Sequence, residues 1–176
     1  MSRPGSDALP GRGAAPLLLR SPAATRKLGR KLGALLEPHD FIALRGPLGA
    51  GKTLLVRGVA EGAGVPAHQQ ASSPTFALAH VYRDGRVPLL HLDLYRLQGP
   101  EELFSIGFDD LLLEPMAALC EWPERAGKAL PAERLEIALA HAGPTRRTLS
   151  LQAFGTRAEQ LREALLSAQA TYPRRR

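Results

Sequence analysis

The sequence lacks the features of disulfide-bonded, membrane-spanning and secreted proteins. It contains one cysteine, Cys120, in 176 residues, which excludes an internal disulfide. A membrane-spanning helix needs roughly 18 apolar residues, and apolar runs such as those at residues 16–19 and 111–113 are far shorter. The first residues also lack the apolar stretch of about 7–15 residues that a signal peptide requires. We therefore expect a cytoplasmic protein that does not associate with a membrane.

Lysine is also scarce, since only four of the 23 cationic side chains are lysines. The net charge of +6 is uneven: residues 1–45 carry +5, residues 46–140 carry −4 and residues 141–176 carry +5. Basic ends of this kind can contact nucleic acid. An arginine-biased proteome would give the same composition, and we favour that explanation because charge runs are usually solvated surface. In a chain with so few lysines, a lysine at position 52 is less easily explained by composition alone, and it is a candidate functional residue.

The chain divides by composition into one domain and two tails. Residues 1–15 are rich in glycine, proline and alanine without periodicity, and we interpret them as a disordered tail. Residues 16–170 have the length and apolar content of a single domain. Residues 171–176 end in three arginines and form a basic tail.

The predicted elements alternate between strands and helices. Ser21 is placed as a helix N-cap, with Pro22 in the first helical position, and Asp84-Gly85 is typical of a hairpin turn. We predict strands at residues 16–20, 41–44, 75–82, 87–95, 117–120, 135–140 and 148–153. We predict helices at residues 23–36, 53–61, 109–113 and 156–170, with a short one opening at residues 99–102. This order indicates an α/β three-layer sandwich with a mixed central sheet.

A phosphate-binding motif lies between an apolar strand and a helix. Residues 46–53 match G-x-x-x-x-G-K-[ST] in full, and the composition of the chain gives an expected count of roughly 0.003 such matches. Backbone N–H groups of such a loop, together with the positive end of the following helix, bind phosphate oxygens. Lys52 is placed to reach the β- and γ-phosphates, and Thr53 to bind Mg²⁺. The nucleotide-binding residues that the motif predicts are Gly46, Leu48, Gly49, Ala50, Gly51, Lys52 and Thr53.

The nucleotide is predicted to be ATP. A GTPase usually carries an Asn-Lys-x-Asp element that reads guanine, and none of the four lysines lies in one. The preference for ATP follows from the lack of this guanine-reading element. The predicted ligands are therefore ATP and Mg²⁺.

Two carboxylates follow predicted strands where a phosphate loop requires one. Asp93 ends the strand in His91-Leu92-Asp93, and Glu121 ends the strand in Leu119-Cys120-Glu121. A lone acidic residue at a strand end is more often a cap, but the phosphate loop favours the functional interpretation of both. Trp122 would pack on the nucleotide or fill the core. His91 and Cys120 lie in apolar runs and are interpreted as core residues.

Five segments in series resemble the TsaE (YjeE) family. They are Gly46-x-Leu48-Gly49-Ala50-Gly51-Lys52-Thr53, Ser73-Pro74-Thr75-Phe76, His91-x-Asp93-Leu94-Tyr95-Arg96-Leu97, Pro100-Glu101-Glu102-Leu103 and Glu121-Trp122-Pro123-Glu124-Arg125. Each segment beyond the phosphate loop is weak alone, but their order and spacing over residues 17–140 are specific. The resemblance implies a P-loop NTPase-like fold.

The resemblance also implies a function. It is that of a bacterial ATPase needed for the threonylcarbamoyl modification of the adenosine beside the anticodon in tRNAs reading codons that begin with A. Family members act with TsaD, which carries the transfer chemistry, and with TsaB, so the chain would meet tRNA indirectly through that complex.

The same resemblance implies roles for individual residues. Ser73 and Thr75 are similar to a switch-I-like loop, although a simple turn before a strand fits the same residues. Thr25 falls where the family contacts the base side of the nucleotide. By position, the catalytic set is Lys52, Thr75, Asp93 and Glu121, the metal set is Thr53, Asp93 and Glu121, and Thr25 and Trp122 join the nucleotide-binding residues.

Three other functions remain open at this point. A small-molecule P-loop kinase would need a lid with paired arginines, whereas acidic residues dominate after residue 95. A non-catalytic factor would use ATP to drive assembly. Direct binding of RNA by the basic ends would depend steeply on salt.

Overall fold

The fold is given by a computed structural model that describes residues 16–69, 77–99 and 101–170. Its strands are β1 (Leu17–Leu19), β2 (Phe41–Arg45), β3 (Ala79–Tyr82), β4 (Leu89–Asp93), β5 (Ala117–Glu121), β6 (Arg134–His141) and β7 (Arg147–Phe154). Its α-helices are α1 (Pro22–Leu35), α2 (Lys52–Gly62), α3 (Glu102–Ser105), α4 (Phe108–Leu113) and α5 (Thr156–Ala170). Short 3₁₀ turns lie at Ala67–Gln69, Pro123–Arg125 and Gly127–Ala129.

The described strands form one mixed sheet in the order β1-β7-β6-β2-β5-β4-β3. β2 lies at its centre and runs parallel to β5 and β6, and β4 runs parallel to β5. The edges are antiparallel, through the β3–β4 and β6–β7 hairpins and the pairing of β1 with β7. The central strands are buried on both faces, which explains why they read as continuous apolar runs.

Helices cover both faces of the sheet, and this confirms the predicted three-layer sandwich. One face packs against α1, α2 and α5, and the other against α3 and α4. The alternation of β2 shows the two faces directly, because Ile42 and Leu44 join the first core and Phe41 and Ala43 join the second. Among the described residues, no helix combines the length and apolar character that crossing a membrane demands.

Several local predictions are confirmed. Ser21 caps α1, where its Oγ accepts the N–H of Ala24 at 3.1 Å, and Pro22 occupies the first helical position. The last helix spans Thr156–Ala170, as predicted. Asp84 and Gly85 lie in the connection between β3 and β4.

The two strands of this hairpin are shorter than predicted. The strand predicted at residues 75–82 begins at Ala79, because Leu78 adopts a left-handed φ of 61° and leaves the extended conformation; residues 75 and 76 lie outside the described part. The strand predicted at residues 87–95 ends at Asp93. There the N–H of Tyr95 turns back to the side chain of Asp93 at 3.1 Å instead of continuing a ladder.

Helices α1 and α2 cross unusually closely through four glycines. A Cβ atom at Gly29 or Gly33 would lie 2.4 or 2.0 Å from a carbonyl oxygen of α2, and one at Gly58 or Gly62 would lie 2.3 or 2.0 Å from a carbonyl oxygen of α1. Only glycine permits this approach. The close crossing fixes α1 against α2, the helix that follows the phosphate loop.

Candidate nucleotide-binding site

The phosphate loop connects the end of β2 to the start of α2. Gly46 has a φ of 135°, and a Cβ there would lie 2.2 Å from the carbonyl oxygen of Leu139 in β6. Gly51 has a φ of 101° and directly precedes the helix. Leu48 lies at the exposed tip of the loop, while Ala50 is buried and donates its N–H to the carbonyl of Pro47 at 3.1 Å. The glycines therefore let the chain turn closely against β6 and enter α2.

The side chain of Lys52, the first residue of α2, is buried against this loop. Its Nζ donates to the carbonyl oxygens of Gly46 at 2.7 Å and Pro47 at 3.1 Å. The same Nζ lies 3.9 Å from the centroid of the Trp122 ring, a cation–π contact. Burial lowers the pKa of Lys52, and the negative charges of Glu121, Glu124 and Asp93 oppose that shift.

The two predicted carboxylates lie side by side next to the start of α2. Asp93 and Glu121 are paired residues at the ends of the parallel strands β4 and β5, and both are buried, at 4% and 2% exposure. Thr53 Oγ1 lies 3.1 Å from Oε1 and 3.2 Å from Oε2 of Glu121. Residues 53, 93 and 121, which are distant in the chain, thus converge beside Lys52.

The chemistry of this group suits Mg²⁺. Within the described ranges no set of three or more His, Cys, Asp or Glu side chains could hold a metal. One hydroxyl and two carboxylates nevertheless fit Mg²⁺, which binds oxygen ligands and usually keeps several waters and substrate phosphates among them.

Comparison with known proteins identifies the family. The family model described as "Threonylcarbamoyl adenosine biosynthesis protein TsaE" matches residues 19–149. The chain belongs to the TsaE family. The structure of Bacillus subtilis YdiB is similar to it at a TM-score of 0.72 and 32% identity, and the match covers 88% of this chain and 95% of that one. This likeness supports the predicted P-loop NTPase-like fold.

Curated TsaE proteins match most of the chain. The "tRNA threonylcarbamoyladenosine biosynthesis protein TsaE" of Bacillus subtilis is 37% identical over 145 residues, which are 82% of this chain and 89% of that protein. The protein of the same description from Treponema pallidum is 39% identical over 120 residues, 68% of this chain and 87% of that one.

Two further predicted residues, Thr25 and Trp122, lie beside the phosphate loop. Thr25 is buried in α1, and its Cγ2 would lie 4.0 Å from a Cβ at Gly51. Trp122 adopts a left-handed φ of 60° and packs on Tyr95 with ring centroids 5.0 Å apart, in addition to Lys52. Ser73 and Thr75 lie outside the described residues, with the rest of the Ser73–Phe76 segment.

The structure gives His91 a neighbour that sequence reasoning missed. His91 is buried, as predicted for a core residue, and its Nε2 lies 3.0 Å from Oε1 of Glu121. Its Nδ1 is a buried side-chain atom without a hydrogen-bond partner among the described residues. The available signal was spacing, because His91 and Asp93 are two residues apart in a strand and share a face. His91 and Thr53 therefore both contact the carboxylate of Glu121, and they share its Oε1.

Arg147 is a second residue that sequence reasoning missed. Its guanidinium reaches from the start of β7 to the phosphate loop and contacts the carbonyls of Gly49 and Ala50. No local pattern marks this arginine among the 19 in the chain, since its partners in the phosphate loop lie almost a hundred residues earlier.

Proposed function

We propose that this TsaE-family protein is a Mg²⁺-dependent ATPase that serves the threonylcarbamoyl modification of the adenosine beside the anticodon in tRNAs reading codons that begin with A. The observation that carries the ATPase assignment is the contact of Thr53 with Glu121, beside Asp93 and Lys52. The family description and the relatives' names support the pathway.

Each residue of the site has a role in this proposal. The loop amides and Lys52 would bind the phosphates of ATP, and Thr53, Glu121 and Asp93 would hold Mg²⁺. A bound Mg²⁺ would neutralise charge that develops on the transferred phosphoryl group. Lys52, Asp93 and Glu121 are all buried. Their burial strengthens electrostatic interactions within the site, because the local dielectric is low.

In this proposal Asp93 would orient the attacking water. Its Oδ1 accepts the N–H of Tyr95 at 3.1 Å, and its own N–H donates to the carbonyl of Leu78 at 3.0 Å. These contacts fix the carboxylate at the end of β4. A fixed carboxylate can hold water for in-line attack and accept its proton.

The proposal includes the partners TsaD and TsaB. In the described part of the chain, two arginines beside the loop already have partners: Arg45 contacts Glu136 and Glu124, and Arg147 contacts carbonyls of the loop itself. An arginine that stabilises the transition state is worth about 10³–10⁵ in rate. We therefore expect slow hydrolysis by the chain alone and acceleration by a complex of TsaD and TsaB.

The experiment is phosphate release from Mg-ATP by the purified chain, with and without the TsaD–TsaB pair. Stimulation of tenfold or more is expected. Equal rates with and without the pair would contradict the partner assignment. Competition by GTP against labelled ATP tests whether the site prefers adenine to guanine. Equal affinity for GTP would contradict the assignment of ATP.

A further inference from the structure

One guanidinium joins the phosphate loop to the β6–β7 hairpin. Arg147 donates from Nε to the carbonyl of Ala50 at 3.0 Å and from Nη2 to that of Gly49 at 3.2 Å. Its Nη1 donates to the carbonyls of Gly143, at 3.2 Å, and Arg146, at 2.7 Å. Two carbonyls of the loop and two of the hairpin turn are thus held by one side chain.

We propose that Arg147 is a positioning residue of the nucleotide site, which holds the phosphate loop in its binding shape without contacting the nucleotide itself. The inference rests on the proposed function, in which this loop binds ATP. It adds a residue from β7, which is remote in the chain, to a site otherwise built from the phosphate loop, α2, β4 and β5.

Arg147 and Lys52 divide the carbonyls of the loop between them. Lys52 contacts those of Gly46 and Pro47, and Arg147 those of Gly49 and Ala50. In the proposed function the Lys52 ammonium, which has three donors, also binds phosphate oxygens. Arg147 has no such task, so its half of the loop stays anchored when the nucleotide binds.

The direction of the peptide groups explains why this anchor matters. In a trans peptide the C=O and the following N–H point in opposite directions. When Arg147 holds the carbonyl of Ala50, the N–H of Gly51 is directed to the opposite side of the loop. That N–H lies at the start of α2, where amides bind anions.

The side-chain type suits the task. A guanidinium presents five N–H donors in a rigid, planar fork, whereas a lysine ammonium is a compact charge on a flexible stem. Glycines at positions 46, 49 and 51 give the loop conformational freedom that must be lost on binding. A preformed anchor lowers that cost and raises affinity.

The alternative is that Arg147 only stabilises the fold, and Arg86 provides a matched control. The Nη2 of Arg86 donates to the carbonyls of Gly33 at 2.9 Å, Ala34 at 3.1 Å and Leu36 at 2.9 Å, at the C-terminal end of α1. It too joins carbonyls through one guanidinium, but none of them belongs to the phosphate loop. Loss of either arginine should lower the melting temperature.

The experiment measures the Kd of a fluorescent ADP analogue, with the melting temperature, for the full chain and for Arg147→Ala, Arg147→Lys and Arg86→Ala. We expect Arg147→Ala to bind the ADP analogue about ten- to thirtyfold more weakly. The reason is the loss of the two hydrogen bonds from Arg147 to the loop carbonyls of Gly49 and Ala50. Arg147→Lys should recover only part of that affinity, and Arg86→Ala should bind like wild type. Arg147→Gln replaces the alanine variant where that variant does not fold.

Three results would overturn the inference. They are an Arg147→Ala affinity within twofold of wild type, an equal loss in Arg86→Ala, and full recovery by Arg147→Lys, which would indicate charge alone. A wild-type chain that binds no nucleotide would instead refute the proposed function, and the inference with it.

Discussion

Thr53 and Glu121 share a hydrogen bond although 68 residues separate them in the chain. The hydroxyl oxygen lies 3.1 and 3.2 Å from the two carboxylate oxygens. The contact joins the first turn of α2 to the end of β5, and it brings a hydroxyl and a carboxylate, both ligands that Mg²⁺ accepts, to one point.

Replacing Thr53 by valine should remove the dependence of nucleotide binding on Mg²⁺. Valine keeps the shape of threonine but has no oxygen to offer a metal. We expect the Kd for ATP with Mg²⁺ to rise about tenfold, towards the value without it. Thr53→Ser keeps the hydroxyl and is the control. A valine variant whose ATP affinity still responds to Mg²⁺ as wild type does would contradict the role of Thr53.

Trp122 should report nucleotide binding through its fluorescence. It is the single tryptophan of the chain, and Lys52 Nζ lies 3.9 Å from its ring centroid. Movement of Lys52 towards a phosphate would remove the cation from the ring face and change the emission. Titration with ATP checks this, and Lys52→Ala should abolish the response. An unchanged emission at saturating ATP would show that Lys52 stays on the ring.

Gly62→Ala should destabilise the protein, although glycine to alanine usually stabilises a helix by about 0.4–1 kcal/mol. The new Cβ would lie 2.0 Å from the carbonyl oxygen of Arg30, so α1 and α2 would have to separate. Overpacking of this kind costs about 1–3 kcal/mol. Urea denaturation measures the free energy of unfolding. A variant more stable than wild type would show that the close crossing is not needed.

Glu136→Gln should lower stability at neutral pH but not at acid pH. Burial raises the pKa of Glu136, but hydrogen bonds from Arg45 and Arg134 outweigh it, and the net pKa lies below the usual 4.5. A lowered carboxyl pKa stabilises the fold above the unfolded-state value, and this stabilisation is lost as the pH falls through the folded-state value. The free-energy difference between variant and wild type should therefore shrink below about pH 4.5. A difference that stays constant from pH 7 to pH 3 would contradict this.

Local sequence signals predicted most of the fold. Ser21 and Pro22 mark the start of α1, and apolar runs mark the central strands, because these features depend on near neighbours. The residues of the phosphate loop, Asp93 and Glu121 could be singled out because a loop of this kind requires a carboxylate at a strand end.

The contacts that the sequence did not predict are long-range. Arg147 reaches a loop 97 residues earlier, and His91 meets Glu121 across 30 residues. From the sequence alone, the glycines of α1 and α2 are simply poor helix formers. The structure shows why they are needed: a Cβ at these positions would collide with the facing helix. Such features depend on which elements become neighbours, and no local periodicity encodes that.

The measurement that tests the central claim most directly is ATP hydrolysis by Glu121→Gln beside wild type, in the presence of TsaD and TsaB, with ATP binding measured on the same samples. Glu114→Gln, which alters an exposed glutamate paired with Arg83, is the control. We expect Glu121→Gln to bind ATP and to lose at least about 99% of its hydrolysis, a barrier increase of about 2.7 kcal/mol or more, while the control hydrolyses ATP like wild type. A Glu121→Gln variant that hydrolyses ATP at the wild-type rate would contradict the account, and one that loses hydrolysis yet supports tRNA modification in cells would favour a non-catalytic assembly role.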